Sequence, residues 1–206
     1  MPETPNGDAL VLSHGAGSNA QAPLLIALAE TFSANDFTVL RCDLPYRQSR
    51  SFGPPGPGDA ARDRAGLKNA LAAMRKTCSG RLLLGGHSYG GRQSSMLCAE
   101  LSKEDPDLVS ALLLLSYPLH PPRKPEQQRT QHLPDLRTPT LFVHGTRDPF
   151  SSTPEFEQAL KMIPGKTRLL EVEGAGHDLG FKGKTKNGDL VERIASEFIH
   201  FLDLSS

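Results

Sequence analysis

Short apolar runs recur along the chain, separated by polar and turn-rich stretches. The runs are rich in Leu and Val and lack period-2 alternation, which is typical of strands buried on both faces of a parallel sheet. The six predicted strands are Ala9–Ser13, Thr38–Cys42, Arg81–Gly85, Ala111–Ser116, Thr140–His144 and Arg168–Val172.

Most of these strands are separated by stretches of helical length, in which apolar residues recur every three or four positions. This periodicity predicts helices over Gln21–Ser33 and Asp59–Lys76, one beginning near Arg92, and a last helix with the apolar stripe Val191–Leu202. The Pro-rich segment Pro118–Pro139 predicts a loop. Because alternating strands and helices form βαβ crossovers, we expect an α/β fold with a minimal, mainly parallel six-stranded sheet and helices on both faces.

Composition limits the class of protein. A chain of 206 residues with 37% apolar residues suits one domain over residues 1–206. Basic and acidic residues number 23 each, so the net charge of zero favours neither nucleic acid nor membrane partners. Three cysteines without disulfide or metal-ligand spacing, and apolar runs too short for a signal peptide, predict a cytoplasmic protein with no metal and no cofactor.

The segment Gly86–Gly90 matches G-x-S-x-G between a predicted strand and a predicted helix. A serine on such a sharp turn is held in strained backbone geometry, and glycines two residues away on either side remove clashing Cβ atoms. The pattern predicts Ser88 as a nucleophile. The alternative is a glycine-rich turn whose serine has no chemical role.

A serine hydroxyl needs a general base, and the base needs an orienting acid. Asp148 follows the fifth predicted strand, and His177 lies in a glycine-bracketed loop between the last strand and the last helix. The order Ser88, Asp148, His177 is the order that G-x-S-x-G enzymes of this strand–helix type use. Asp178 is the rival acid, although its neighbour in sequence is the histidine itself.

A tetrahedral intermediate needs two N–H donors for its oxyanion. One is the amide after the nucleophile, that of Tyr89. The loop after the first strand supplies the second, and we assign it to Ala16, with Gly17 as the weaker candidate.

The loop after the first strand also permits a different function. Residues Gly15–Ala20 match G-x-G-x-x-A between a strand and a helix, with Asp36 or Asp43 as a candidate ribose-binding acid. A dinucleotide-binding oxidoreductase would leave the Ser, Asp and His pattern without a role. We therefore rank it below a hydrolase.

Four segments resemble the α/β-hydrolase superfamily: DLPY at 43–46, GGHSYGGR at 85–92, YPLHPP at 117–122 and HGTRDPF at 144–150. More narrowly, the chain resembles a compact branch of predicted hydrolases that includes testis-expressed protein 30 and a histone acetyltransferase complex subunit, and that is related to dienelactone-hydrolase-like proteins. The resemblance implies an open site without a cap domain. The residues expected to border the substrate are His14, Tyr46, Arg47, Arg50, His87 and His120.

The predicted function is hydrolysis of a small-molecule ester, through an acyl-enzyme on Ser88, with thioesters and amides left open. Because some relatives in the resembling branch are subunits of complexes, a non-catalytic interaction module with a protein partner is the alternative. The lysines at 182, 184 and 186 would suit an anionic substrate, although a solvated loop is the simpler interpretation.

Overall fold

Six strands form one sheet in the computed structural model, which describes Pro2, residues 5–181 and residues 188–204. The strands are β1 (Ala9–Ser13), β2 (Thr38–Cys42), β3 (Leu82–His87), β4 (Ala111–Leu115), β5 (Thr140–Gly145) and β6 (Thr167–Val172). They lie in the order β2-β1-β3-β4-β5-β6, and every pairing is parallel. The predicted six-stranded sheet is confirmed.

Helices cover both faces of the sheet. They are α1 (Pro23–Ala34), α2 (Pro45–Ser49), α3 (Asp59–Arg75), α4 (Tyr89–Glu104), α5 (Thr153–Leu160) and α6 (Gly188–Asp203). Leu28 of α1 and Phe198 of α6 belong to one buried apolar cluster. Leu67 of α3, Leu97 of α4 and Phe156 of α5 belong to a second cluster on the other side. The predicted α/β layering is therefore confirmed.

Each inner strand contributes side chains to both apolar clusters. In β1, Leu10 and Leu12 join the cluster beneath α1 and α6, while Ala9 and Val11 join the other one. Successive side chains of a strand point to opposite faces, so a strand buried on both sides must be apolar at every position. This is why unbroken runs of Leu and Val predicted strands.

The strand and helix that flank Ser88 extend further than predicted. β3 was expected over Arg81–Gly85 and α4 from about Arg92, whereas they end and begin directly beside the serine. The glycines resemble turn residues in the sequence, but here they allow strand and helix to approach closely. A Cβ at Gly86 would lie 2.6 Å from the Gly91 nitrogen.

Two helices were missed by the apolar periodicity, α2 and α5. Both are short, and α5 carries few apolar side chains. Its sequence nevertheless holds a readable signal, because Ser152 and Glu155 form a capping box in which the Glu155 carboxylate accepts from the Ser152 N–H at 2.8 Å. Pro154 in the first turn strengthens that signal.

The chain between β4 and β5 is a loop with one 3-10 turn at Leu133–Asp135, as the prolines predicted. Within the described residues it contains no inserted domain, so the carboxyl edge of the sheet stays uncapped. None of the described helices has both the length and the apolar character that crossing a bilayer requires.

Candidate active site

Ser88 lies at the turn between β3 and α4, at the carboxyl edge of the sheet. Its backbone has φ 53° and ψ −114°, a conformation that residues with a side chain rarely adopt. The Ser88 N–H donates to the Leu115 carbonyl at 2.8 Å. A Cβ at Gly90 would lie 2.6 Å from the His14 carbonyl oxygen. Glycine at this position therefore lets the helix start against the β1 loop and fixes the serine in its turn.

Two hydrogen bonds join Ser88, His177 and Asp148. His177 Nδ1 lies 2.8 Å from Asp148 Oδ2, and its Nε2 lies 2.7 Å from Ser88 Oγ. The Asp148 side chain is fully buried. Because a carboxylate only accepts, the imidazole carries its proton on Nδ1, and its Nε2 is left to accept from the serine hydroxyl. The structure thus brings these three sequence-predicted residues together.

His177 is held on three sides. Phe150 stacks on its ring with centroids 4.0 Å apart and an interplanar angle of 29°. The Phe150 N–H in turn donates to Asp148 Oδ1 at 2.9 Å. His87 Nε2 donates to the His177 carbonyl at 2.7 Å, so this histidine, expected to border the substrate, also positions the loop that carries His177.

Asp178, the rival acid, occupies a different position from Asp148. It lines the cavity beside the imidazole, and its Oδ1 accepts from the Gly180 N–H at 3.1 Å. The imidazole nitrogen is bonded to Asp148 instead. Proximity in sequence therefore did not decide which carboxylate meets the histidine.

The predicted oxyanion donors flank the serine. Tyr89 is the first residue of α4, where an N–H has no acceptor within the helix and carries the positive end of the helix dipole. In the β1 loop, the Gly15 carbonyl accepts from His14 Nδ1 at 2.8 Å and from Tyr46 Oη at 3.3 Å. Because the N–H of a trans peptide points opposite to its carbonyl, the Ala16 N–H points away from these donors. Ala16 lines the cavity on that side.

His14 holds this loop from within the protein. It lines the cavity but is fully buried. Its Nδ1 donates to the Gly15 carbonyl and its Nε2 accepts from the Leu44 N–H at 3.1 Å. Burial lowers its pKa, which keeps the ring neutral and suits these two opposite roles. Both ring nitrogens are thus engaged by backbone, in contrast to the expected contact with substrate.

Tyr46 and Arg47 support the same loop and lie outside the cavity lining formed by the described residues. Tyr46 Oη donates to the Ala16 carbonyl at 2.9 Å. Arg47 donates from Nε to the Ser18 carbonyl at 2.8 Å and from Nη2 to the Gly53 carbonyl at 2.9 Å. Both side chains were expected to border the substrate. Instead, they hold the loop after β1 through its backbone carbonyls.

Arg50 and His120 also lie away from the cavity lining of the described residues. Arg50 forms an ion pair with Asp59. His120 is buried, and its Nδ1 donates to the Pro121 carbonyl at 2.8 Å. Both were expected to border the substrate, whereas these contacts are with other parts of the protein.

The sequence patterns did not predict the buried carboxylate of Asp63, which lies behind the site. Asp63 of α3 is fully buried, and it accepts from Tyr89 Oη at 2.7 Å and from the Tyr46 N–H at 3.0 Å. Burial, together with the bond to Asp63, raises the pKa of the Tyr89 phenol, so the phenol stays protonated and donates. In the sequence, Asp63 looks like an ordinary polar residue of a predicted surface helix, so nothing indicated that it would be buried and accept from Tyr89.

The cavity beside Ser88 has a volume of about 560 Å³. One wall carries Arg92 and Arg129, neither of which was predicted as a site residue. Arg92 follows the nucleophile motif on α4, whereas Arg129 comes from the Pro-rich loop after β4, which offered no sequence signal. The apolar part of the lining includes Ala22, Pro23, Leu24, Leu25, Phe150 and Phe181.

The residues of the dinucleotide hypothesis have other contacts. Asp43 accepts from the Ala20 N–H at 2.6 Å and so holds the approach to α1. Asp36 lies in an exposed turn with φ 66°. In the part of the chain that the structure describes, no group of three His, Cys, Asp or Glu side chains is arranged to hold a metal ion. The lysines at 182, 184 and 186 lie outside the described residues.

The sequence of residues 6–203 matches the model of the alpha/beta hydrolase domain family. The chain belongs to this family. The match spans every strand and helix described above, so this α/β hydrolase carries its Ser, His and Asp on the family's own scaffold. The resemblance inferred from the four sequence segments is confirmed at the level of the superfamily.

Solved structures of other α/β hydrolases share the fold at low identity. Est1E from Butyrivibrio proteoclasticus, solved with ferulic acid, has a TM-score of 0.72 and 16% identity, covering 98% of this chain and 94% of that one. A dienelactone hydrolase from Anabaena variabilis has a TM-score of 0.72 and 22% identity, covering 96% and 88%. These neighbours, and a further one described as a lipolytic enzyme, share the fold of this chain.

One curated relative matches only a short segment. The polyketide synthase ThaQ of Burkholderia thailandensis is 48% identical over 48 residues, which is 23% of this α/β hydrolase and 2% of that protein. The chain thus spans a very small fraction of that relative's length. The match carries no statement about substrate.

Proposed function

We propose that this α/β hydrolase is a serine esterase that cleaves small-molecule esters by two-step acyl transfer. The observation that carries the proposal is the continuous path from Ser88 Oγ through His177 to the buried Asp148 carboxylate, with hydrogen bonds of 2.7 and 2.8 Å. Thioesters and amides belong to the same chemistry. The composition and cysteine pattern support a single domain that acts in the cytoplasm.

In the first step, Ser88 Oγ attacks the carbonyl carbon while His177 Nε2 accepts the hydroxyl proton. Asp148 holds the Nδ1–H tautomer and stabilises the imidazolium that forms. The alcohol leaves with the proton that the imidazolium returns, and the acyl group stays on the serine oxygen.

The negative charge that develops on the carbonyl oxygen is stabilised by the amides of Ala16 and Tyr89. The bonds that hold the Gly15 and Ala16 carbonyls inward support this assignment, because they fix the loop before substrate arrives. In the second step, water attacks the acyl-enzyme, again with His177 as the base, and the acid product leaves.

A fluorophosphonate probe, which reacts with activated serines, tests the proposal. We expect wild-type protein to be labelled and Ser88→Ala to remain unlabelled. Ser18→Ala is the matched control, because Ser18 lines the same cavity and lies outside the proposed triad. It should label as wild type does.

Absence of labelling on folded wild-type protein, or labelling of Ser88→Ala, would contradict the serine mechanism. Thermal unfolding of each variant establishes that it is folded. An unlabelled wild type would favour the non-catalytic interaction module. A large rise in Tm on addition of a nicotinamide dinucleotide would favour the oxidoreductase.

A further inference from the structure

Two arginines face the cavity from one side of Ser88. Arg92 is on the first turn of α4, one helical turn beyond the serine, and Arg129 is on the loop after β4. The Arg129 backbone N–H donates to the Leu119 carbonyl at 2.7 Å, which fixes that loop where it borders the cavity. Residues one turn apart on a helix are neighbours, so a guanidinium on Arg92 lies within reach of a group attached to a serine-bound acyl chain.

Within residues 5–181 and 188–204, neither guanidinium has an ion pair or a hydrogen bond, and the Arg92 Nε is buried without a partner. The other buried or partly buried arginines among the described residues each have a side-chain partner, whereas the remaining arginines without one are exposed. Arg64 contacts Glu100 at 2.8 Å, and Arg81 contacts Asp8 at 2.7 Å. Because a partly buried charge costs free energy unless it is paired, two unpaired arginines in one cavity need an explanation.

The surroundings of the two arginines add positive rather than negative charge. Burial, and then the charge of Arg92, lower the pKa of Arg129. Arg92 also lies near the amino end of α4, where the helix dipole disfavours a cation. His132 beside them has a pKa lowered to about 4 by burial and by the charges of Arg92 and Arg64, so it is neutral. The described lining has one acidic residue, Asp178, whose Oδ1 accepts from the Gly180 N–H and forms no ion pair with either arginine.

We propose that Arg92 and Arg129 bind an anionic group of the substrate, so that this site hydrolyses esters that carry a negative charge. The inference rests on the proposed esterase function and adds the substrate class. A guanidinium presents several N–H donors in a planar fork and binds carboxylate or phosphate oxygens in pairs. The anion supplies the counter-charge that the protein itself does not provide to these side chains.

Two pairs of esters test the proposal with carboxylate probes. The first pair carries the charge on the acyl side: 4-nitrophenyl hydrogen adipate and 4-nitrophenyl methyl adipate. The second carries it on the leaving group: the butyrate esters of 4-hydroxybenzoate and of methyl 4-hydroxybenzoate. The measured quantity is the ratio of kcat/KM for the charged ester to that for the neutral ester. Comparing this ratio between variants cancels the intrinsic reactivities of the two esters.

In at least one pair, we expect Arg92→Gln and Arg129→Gln to lower this ratio by about tenfold or more, the loss typical of a charge-assisted hydrogen bond. Lys124→Gln is the matched control, because it removes one charge from the same loop on an exposed residue outside the lining. Its ratio should equal that of wild type. We also expect the Tm of Arg92→Gln to equal or exceed that of wild type, since an unpaired charge is removed.

Ratios within twofold of wild type in both pairs would overturn the proposal, as would a lower Tm with an unchanged ratio, which indicates a structural role. Failure of this inference is distinguishable from failure of the esterase function. A wild type that is labelled by fluorophosphonate and cleaves the neutral esters, without a change of ratio in the variants, contradicts only the anion site. A folded wild type without labelling contradicts both.

Discussion

Arg47 differs from the pair Arg92 and Arg129 in what the side chain contacts, although all three are near one cavity. Arg47 donates to the carbonyls of Ser18 and Gly53, behind the oxyanion loop. The other two have no acceptor among the described residues. Polar groups bonded inside the protein hold geometry, whereas a buried donor without a partner needs an explanation, and for these two arginines we propose an anionic ligand.

The same contrast divides the whole cavity into two regions. The first, termed the positioning side, comprises the loop 14–18 with its supports and the bonded pair of Asp148 and His177. The second, termed the arginine side, comprises Arg92 and Arg129. We expect changes that break a bond or a close contact on the positioning side to lower catalysis of all esters, and changes on the arginine side to alter the choice among them.

The largest effect is expected from Asp148→Asn on the positioning side. An amide cannot hold the Nδ1–H tautomer of His177, so kcat for 4-nitrophenyl butyrate should fall by about 10⁴-fold. The measurement is steady-state kinetics on protein of unchanged Tm. Asp178→Asn is the control and should lower kcat far less, because Asp178 lines the cavity while the imidazole is bonded to Asp148. Equal losses of kcat in Asp148→Asn and Asp178→Asn would contradict the assignment of Asp148, rather than Asp178, as the partner of His177.

A smaller effect is expected from Gly15→Ala in the oxyanion loop. The added Cβ would lie 3.0 Å from His87 Nδ1 and 3.5 Å from Ser88 Cβ, so the loop must move. Displacement of a catalytic group by a fraction of an ångström lowers kcat by about ten- to a hundredfold. Gly17→Ala is the matched control, since its Cβ meets no described atom within 4 Å. A similar kcat for both variants would show that the loop is not rigid.

Tyr46→Phe removes a single hydroxyl from the positioning side. Without its bonds to the Gly15 and Ala16 carbonyls, the Ala16 N–H is less well directed, and kcat should fall by about tenfold with little change in KM. The ratio for charged against neutral esters should stay at the wild-type value. A lowered ratio in Tyr46→Phe would contradict the division into two regions, because only the arginine side is expected to determine this ratio.

The smallest expected effect concerns stability on the arginine side. The pKa of His132 is lowered to about 4 in the folded protein, from an ordinary value of 6.5. As the pH falls below 6.5, His132 becomes protonated in the unfolded chain but stays neutral in the folded protein. The free energy of unfolding therefore decreases until the pH reaches about 4. We expect His132→Gln to reduce this loss by about 2 kcal/mol.

The check on His132 is the free energy of unfolding by urea between pH 7 and pH 4. Part of the slope should persist in the variant, because burial also lowers the pKa values of His14 and His144. An unchanged slope in His132→Gln would mean that burial and the positive charges near His132 do not lower its pKa in the folded protein.

Much of the fold was predictable from local patterns. The inner strands are buried on both faces and are mostly apolar, which made them predictable from sequence, and Ser88, Asp148 and His177 were placed by their positions after strands. The short helices were harder, since few apolar residues define them. The capping residues Ser152 and Glu155 would have identified α5.

The residues bordering the cavity were harder to predict. Arg129 comes from a loop with no periodicity, and Asp63 looked like any polar residue of a surface helix. Four residues expected to border an open site lie outside the cavity lining of the described residues: Tyr46, Arg47, Arg50 and His120.

The sequence by itself determined the strands and the long helices of this α/β hydrolase and the order of Ser88, Asp148 and His177 after them, because periodicity and strand ends are local properties. Only the tertiary structure decided which polar groups bond to each other and which face the cavity. Such pairs join distant parts of the chain: His87 meets the carbonyl of His177, 90 residues away. No local pattern encodes that pairing, since packing of the sheet and helices is what brings the two groups together.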